Sequence, residues 1–246
     1  MSHGNPEPTR RKHDDGTGWH QFADADTLAT HLATDVANRL QTGLSVRGIA
    51  SLIVSGGRTP TRFFDLLGTV DLAWERVTIC LTDERWVEPD SADSNEKLVR
   101  DHLLHSLAGA ATFVPLKTVA ADPESAVLER TSALLKVAQP FDVVMLGMGA
   151  DGHTASLFPG AAGIVKALGP AASPALVAVS PLVASHRRIS MNLAALLHAR
   201  YIAILIQGAH KRAVLEVARD GASPLAFPIA AILQQSRVPV GVYWSA

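Results

Sequence analysis

The run Gly147-Met148-Gly149-Ala150-Asp151-Gly152-His153 holds residue types that could do chemistry: an acid and an imidazole two residues apart, bracketed by three glycines. An imidazole can take a proton from water near neutral pH, and a nearby carboxylate can orient the ring or stabilise its charged form. Glycines let backbone amides come close to a ligand without Cβ interference, so the loop also offers N–H donors to an oxyanion. Gly147, Gly149 and Gly152 formally satisfy the G-x-G-x-x-G dinucleotide pattern. That reading fails twice. Asp151 would set a carboxylate where a pyrophosphate should sit, and the ribose-binding acid expected about 20 residues later is missing. A histidine satisfied within its own loop is the competing reading for His153.

Other clusters suit an anionic ligand. Ser55-Gly56-Gly57-Arg58-Thr59 joins a predicted strand to a predicted helix, so amides of a glycine turn and a helix N-terminus can bind an anion while Arg58 adds charge. An ordinary tight turn with a solvated Arg58 competes, and no Gly-Lys-Ser/Thr follows to make a P-loop. In Thr82-Asp83-Glu84-Arg85-Trp86, Asp83 can act as a base or hold a hydroxyl, and Arg85 can pair with phosphate or with Glu84. Ser94-Asn95 reads as a helix cap or a ligand contact. Lys211 falls in a first helical turn, where a cation opposes the helix dipole and a bound phosphate would explain it. His102 and His105 read as surface residues, and there is no Cys/His zinc pattern and no G-x-S-x-G nucleophile elbow.

These residues need elements to hold them. Phe141 to Leu146 reads as a buried parallel strand, whose carboxyl end opens where α/β sheets bind ligands. Strands are also predicted at Ile49–Val54, Val77–Leu81, Leu176–Val179, Ile189–Met191, Tyr201–Ile206 and Val238–Tyr243. Leu28, Leu32, Val36 and Leu40 mark an amphipathic first helix. Thr59 and Pro60 fit the N-cap and first position of the next helix, Ser94 caps one through Leu107, Asp122-Pro123 starts one to about Val137, and Ala209–Arg219 forms one closing at Gly221. The alternation predicts an α/β fold with a mostly parallel sheet and helices on both faces. Residues 1–18 read as a disordered polar tail, and residues 19–246 as one domain without linker or repeat.

The chain has 246 residues, 48% of them hydrophobic and 18% charged, which means a substantial core. Its net charge of −1 gives no reason to expect nucleic acid or an anionic membrane as partner. Cys80 reads as a small buried hydrophobe. No apolar stretch nears the roughly 18 residues of a membrane span and no signal-peptide pattern is evident, so a cytoplasmic protein is expected. Charge is uneven: residues 1–151 carry 21 acids against 14 Lys or Arg, whereas residues 152–215 hold no acid and six cations. That asymmetry reads either as composition drift or as a positive field along one side of a cleft, suited to a sugar phosphate.

Together these segments resemble the 6-phosphogluconolactonase family, within the superfamily that includes glucosamine-6-phosphate deaminases. The resemblance spans about residues 20–240 and rests on Ser55-Gly56-Gly57-Arg58-Thr59-Pro60, Asp83-Glu84-Arg85-Trp86-Val87, Ser94-Asn95, and Gly147 through Gly160. Arg188-Ile189-Ser190 and Gly208-Ala209-His210-Lys211 complete it. It implies a modified Rossmann-like fold (NagB/RpiA/CoA transferase-like), no cofactor, no metal, and hydrolysis of 6-phospho-D-glucono-1,5-lactone to 6-phosphogluconate in the oxidative pentose phosphate pathway. His153 is then the general base with Asp151 beside it. Substrate and phosphate binding fall to Gly56, Gly57, Arg58, Thr59, Asp83 and Arg85, together with Asn95, Gly149, Arg188 and Lys211.

Two departures accompany the resemblance. The family often has serine at the Arg58 position, and an acidic residue that usually follows its last strand has no counterpart in Val242 to Ala246, which is assigned no role. The nearest rival, a glucosamine-6-phosphate deaminase or isomerase, carries a glutamate five residues after its histidine, where this chain has Phe158. A non-catalytic sugar-phosphate-binding regulator is the other rival, and the 18-residue tail is too short for the DNA-binding domain such proteins append. A monomer is expected, with a homodimer as the alternative.

Overall fold

The computed structural model describes residues 18–182 and 185–246. The disordered tail expected over residues 1–18 lies outside the described residues, except Gly18. That residue belongs to strand β1 (Gly18–Phe22) and not to a tail. Helix α1 (Ala25–Arg47) follows, capped by the Asp24 carboxylate on the Thr27 amide. Leu28, Leu32, Val36 and Leu40 form its fully buried stripe, each contributing roughly 1.5–3 kcal/mol of apolar burial.

Strand β2 (Ala50–Val54), helix α2 (Thr61–Gly68), strand β3 (Val77–Leu81), strand β4 (Asp83–Arg85), helix α3 (Asn95–His102) and strand β5 (Thr112–Val114) come next. Helix α4 (Pro123–Leu134), strand β6 (Val143–Gly147), the short helix α5 (Ile164–Ala167), and strands β7 (Leu176–Val179) and β8 (Arg188–Met191) continue the chain. Helix α6 (Leu193–Leu196), strand β9 (Ile202–Gln207), helices α7 (Ala209–Arg219) and α8 (Ala230–Leu233), and strand β10 (Val240–Ser245) complete it. Several boundaries differ from expectation, three of them with consequences for the site. Helix α2 starts at Thr61 with no side-chain cap, which leaves Thr59 in the preceding loop. Helix α3 ends at His102, and a separate 3₁₀ turn covers Leu107–Ala110. The charged segment after β3 forms a strand of its own that the sequence did not announce, because β8 supplies its ladder.

Seven strands make one fully parallel sheet in the order β1-β10-β9-β6-β2-β3-β5. A smaller antiparallel sheet has the order β4-β8-β7. From β2 the chain winds outward through β3 to β5, and from β6 it winds the other way through β9 to β10. The neighbours β2 and β6 therefore flank the switch point, and their carboxyl ends diverge to leave a crevice. Right-handed crossovers put α1 and α2 on one face and α7 on the other. Consistent with this, α1 packs on α2 and on β2, while α7 packs on β9. Strand β2 is buried throughout, as are Val143–Leu146 of β6 and Ile202–Ile206 of β9, which explains their continuous apolar runs. Among the described residues no helix is long and apolar enough to cross a membrane.

Candidate active site

Four adjacent parallel strands end at this crevice, and each delivers one segment. Strand β2 ends at Val54 and leads to the 55–60 loop, and β3 ends at Leu81 just before Asp83. Strand β6 ends at Gly147 before the aspartate–histidine loop, and β9 ends at Gln207 before Lys211 in α7. The segments enclose a cavity of about 270 Å³. Eleven of the twelve residues the sequence nominated line it: Gly56, Gly57, Arg58, Thr59, Asp83, Arg85, Asn95, Gly149, His153, Arg188 and Lys211. Asp151 does not; it stands behind the histidine.

The His153–Asp151 pair is tight. His153 Nδ1 lies 2.6 Å from Asp151 Oδ1, and the same oxygen accepts the His153 backbone amide at 3.2 Å. Partial burial pulls the Asp151 carboxyl upward, but the imidazole charge and these hydrogen bonds outweigh it and leave its pKa below the ordinary carboxylate value. An ionised carboxylate only accepts, so Nδ1 carries the proton and Nε2 of the neutral ring holds the free lone pair. The ring also packs against the loop backbone at Gly149, where a Cβ would lie 2.2 Å from both Nδ1 and Cε1 of His153. Only glycine leaves room for it. Two of the expected oxyanion donors are committed elsewhere: Gly149 N–H donates to His153 O and Gly152 N–H to Gly149 O. Ala155, which also lines the cavity, holds φ +47°, a left-handed conformation that costs a non-glycine residue roughly 1–2 kcal/mol.

The opposite wall is built on buried acids that face inward to the protein. Glu84 does not pair with the Arg85 side chain. Its carboxylate instead accepts the amides of Arg85, Asn95 and Glu96 and the Ser94 hydroxyl, at 2.7–3.0 Å, which fastens β4 to the start of α3. Burial pushes its pKa above the ordinary value against the pull of those bonds. Ser94 is the N-cap of α3, accepting from Lys97 N. Asn95 reaches the cavity: its amide donates to Asp83 O and lies so near Gly56 that a Cβ there would come within 1.9 Å of Asn95 Oδ1. Asp83 accepts the Thr82 hydroxyl on one oxygen and the Ser156 hydroxyl on the other, at 2.9 and 2.5 Å. Both oxygens are thus engaged by the protein, which suits positioning better than proton transfer.

The cations are different. Arg58, Arg85, Arg188 and Lys211 line the cavity, and none forms an ion pair among the described residues. Arg85 donates from Nη1 to Asp93 O, but its Nε and that of Arg188 are buried without a partner. Burial lowers the pKa of Arg188, opposed by Asp83 and reinforced by Arg85, and burial alone lowers that of Lys211. At the opposite, amino-terminal end of the central strands the pattern reverses, for buried Asp142 pairs with Arg47 and Arg200. Arg85, Arg188 and Lys211 are half-buried and Arg58 is exposed; cations without acid partners around a cavity, partly desolvated, are a binding site for an anion. Of the six cations in the acid-free stretch only Arg188 and Lys211 reach it; Arg187 and Arg212 pair with Glu124 and Glu216. Phe158, which the sequence singled out only as standing where the deaminases carry a glutamate, has its ring centroid 4.2 Å from that of His153. No metal-binding cluster of His, Cys, Asp and Glu occurs among the described residues. His102 lies outside the site and bonds Asp65, and Cys80 is buried, with its thiol pushed up to about 12 by burial.

A family model described as glucosamine-6-phosphate isomerases/6-phosphogluconolactonase matches residues 23–243. The chain belongs to that family. It is 39% identical to a 6-phosphogluconolactonase of Rhizobium meliloti over 92% of this chain and 97% of that protein. The counterpart from Mesorhizobium japonicum is 42% identical, with coverage of 92% and 94%. A crystal structure of a 6-phosphogluconolactonase from Shewanella baltica superposes with a TM-score of 0.91 at 42% identity, covering 94% and 98%. Family members thus share both the parallel sheet and nearly the whole length of this chain.

Proposed function

We propose that this chain hydrolyses 6-phospho-D-glucono-1,5-lactone to 6-phospho-D-gluconate, with His153 as the general base. The observation that carries the reading is the unpaired lone pair of His153 Nε2 in a cavity whose other walls present four unneutralised cations. The phosphate lies among Arg58, Arg85, Arg188 and Lys211, which leaves the lactone ring toward the β6 loop. Nε2 removes a proton from water, the oxygen adds to C1, and the tetrahedral centre collapses with cleavage of the C1–ring oxygen bond. The imidazolium returns its proton to the departing ring oxygen, so acid and base roles close on one residue. Asp151 keeps Nδ1 protonated and stabilises the charged ring between the two transfers. Anchoring by the phosphate supplies orientation.

The same reading has residues 19–246 working as one domain, as a cytoplasmic monomer acting on a diffusing small molecule. The test is to supply freshly generated 6-phosphogluconolactone and follow acid release above the spontaneous rate. Ammonia release from glucosamine 6-phosphate without lactonase activity would replace the assignment, and phosphate-ester binding without turnover of either substrate would make the chain a sensor.

A further inference from the structure

We propose that Phe158 is a positioning residue whose ring fixes the plane of the His153 imidazole and the place of the Arg188 guanidinium at once, coupling the base to the phosphate wall. This rests on the roles given above to His153 and Arg188. The Phe158 and His153 ring centroids are 4.2 Å apart with planes inclined at 36°, and Arg188 Cζ lies 5.1 Å from the Phe158 centroid. No other ring stacks on either group among the described residues.

Each group needs such a support. The bond from Nδ1 to Asp151 and the packing on Gly149 hold the imidazole along its Nδ1–Cε1 edge, and the Phe158 ring is the further contact that sets where Nε2 points. Among the described residues Arg188 has no acid partner, and its buried Nε has no hydrogen-bond partner. The electron-rich face of an aromatic ring attracts a cation without neutralising its charge, which leaves the guanidinium available to an anion. The backbone holds Phe158 for this purpose. A turn closed by Leu157 N–H to Thr154 O brings it back beside His153, Thr154 is tied to Gly147 O, and Ala161 N–H donates to Phe158 O. One ring thus joins two groups that reach the cavity from β8 and from the β6 loop.

The test is a pair of double-mutant cycles on the intact chain, with Phe158→Leu and Phe158→Tyr measured alone and in His153→Ala and Arg188→Ala backgrounds. Phe158→Leu should raise KM roughly 2- to 30-fold, the range cation–π contacts span, and lower kcat about tenfold or more by releasing the base. Phe158→Tyr, which keeps the ring, should restore both. The KM penalty should vanish when Arg188 is already Ala, and the kcat penalty when His153 is already Ala. Normal kinetics for Phe158→Leu, or penalties that carry over undiminished into both backgrounds, would overturn the proposal while leaving the lactonase reading intact. Unaltered kinetics for His153→Ala or Arg188→Ala themselves would overturn both.

Discussion

Arg85 stands directly opposite Arg188 in the β4–β8 ladder, and the Nε atom of each is buried without a partner. Like charges facing one another across a ladder repel, so the ligand-free protein holds this wall against its own electrostatics. Tethering from elsewhere makes that possible: Arg85 is anchored through Nη1 to Asp93 O, and its strand is fastened by Glu84. An anion between the guanidinium groups would relieve the repulsion and satisfy both orphaned donors.

Arg188→Gln should therefore raise KM for the phosphorylated lactone by roughly 10- to 150-fold, the worth of a hydrogen bond to a charged group. Inorganic phosphate should raise the melting temperature of the native protein and do so less in the variant. Steady-state kinetics and thermal melts with and without phosphate measure both. An unchanged KM would remove Arg188 from the phosphate site.

His153→Ala should lower kcat by about 10²- to 10⁴-fold with little change in KM, because water activation is lost while phosphate binding stays. Asp151→Asn should lower kcat less, roughly 10- to 100-fold, since a charge-assisted hydrogen bond is replaced and the ring can present the wrong nitrogen. Equal losses in the two variants would mean that the carboxylate takes part directly in proton transfer.

Gly149→Ala tests packing rather than chemistry. The new methyl group would sit 2.2 Å from His153 Nδ1 and 2.6 Å from Asp151 Oδ1, so the pair must move by an ångström or more. A displacement of that size is expected to lower kcat by about 10²-fold. The melting temperature should change little, because the site is at a half-exposed loop. A large loss of stability with normal kcat per folded molecule would contradict the arrangement.

Lys211 carries a stability cost with a definite pH signature. Burial lowers its pKa, so the folded protein gives up the proton more readily than the unfolded chain, whose lysine titrates near about 10.4. Between the folded and unfolded values the unfolded state binds more protons, and stability rises with pH across that alkaline window. At neutral pH the charged ammonium is unfavourable, and its place in the first turn of α7 adds an adverse dipole term of about 0.3–1 kcal/mol. Lys211→Met should accordingly raise the ligand-free melting temperature by about 1–3 °C at pH 7, flatten the alkaline rise and raise KM. A lower melting temperature would show that the lysine has a structural partner.

Much of this molecule could be read along the chain because its signals are local. The buried runs 50–54, 77–81 and 143–146 had to be parallel strands, and Ser94 and Asp122 announced the helices they cap. Strands β1, β4 and β5 escaped notice because they are short or at an edge, and their pairing depends on neighbours far away in sequence. The role of Glu84 was hidden for the same reason: its donors at 94–96 are close only once the segment after β4 folds back. Phe158 read only as the replacement of a deaminase glutamate, and its contacts with His153 and Arg188 stayed hidden, since nothing in a sequence tells which way a ring will face.

By itself the sequence determined the chemistry on offer: an imidazole with a carboxylate two residues away, glycine turns, and cations in a stretch without acids. Residue type and short-range spacing are enough for that, because they set which groups can donate, accept or carry charge. Tertiary structure alone decided which cations of the chain stay unpaired around the site. Arg187, Arg200 and Arg212 meet carboxylates, whereas Arg58, Arg85, Arg188 and Lys211 do not, and they converge on His153 at the β2–β6 switch point. The physical reason is that pairing and desolvation depend on distance in space. Winding the chain outward in both directions from two neighbouring strands brings residues 58 and 211 to the same crevice.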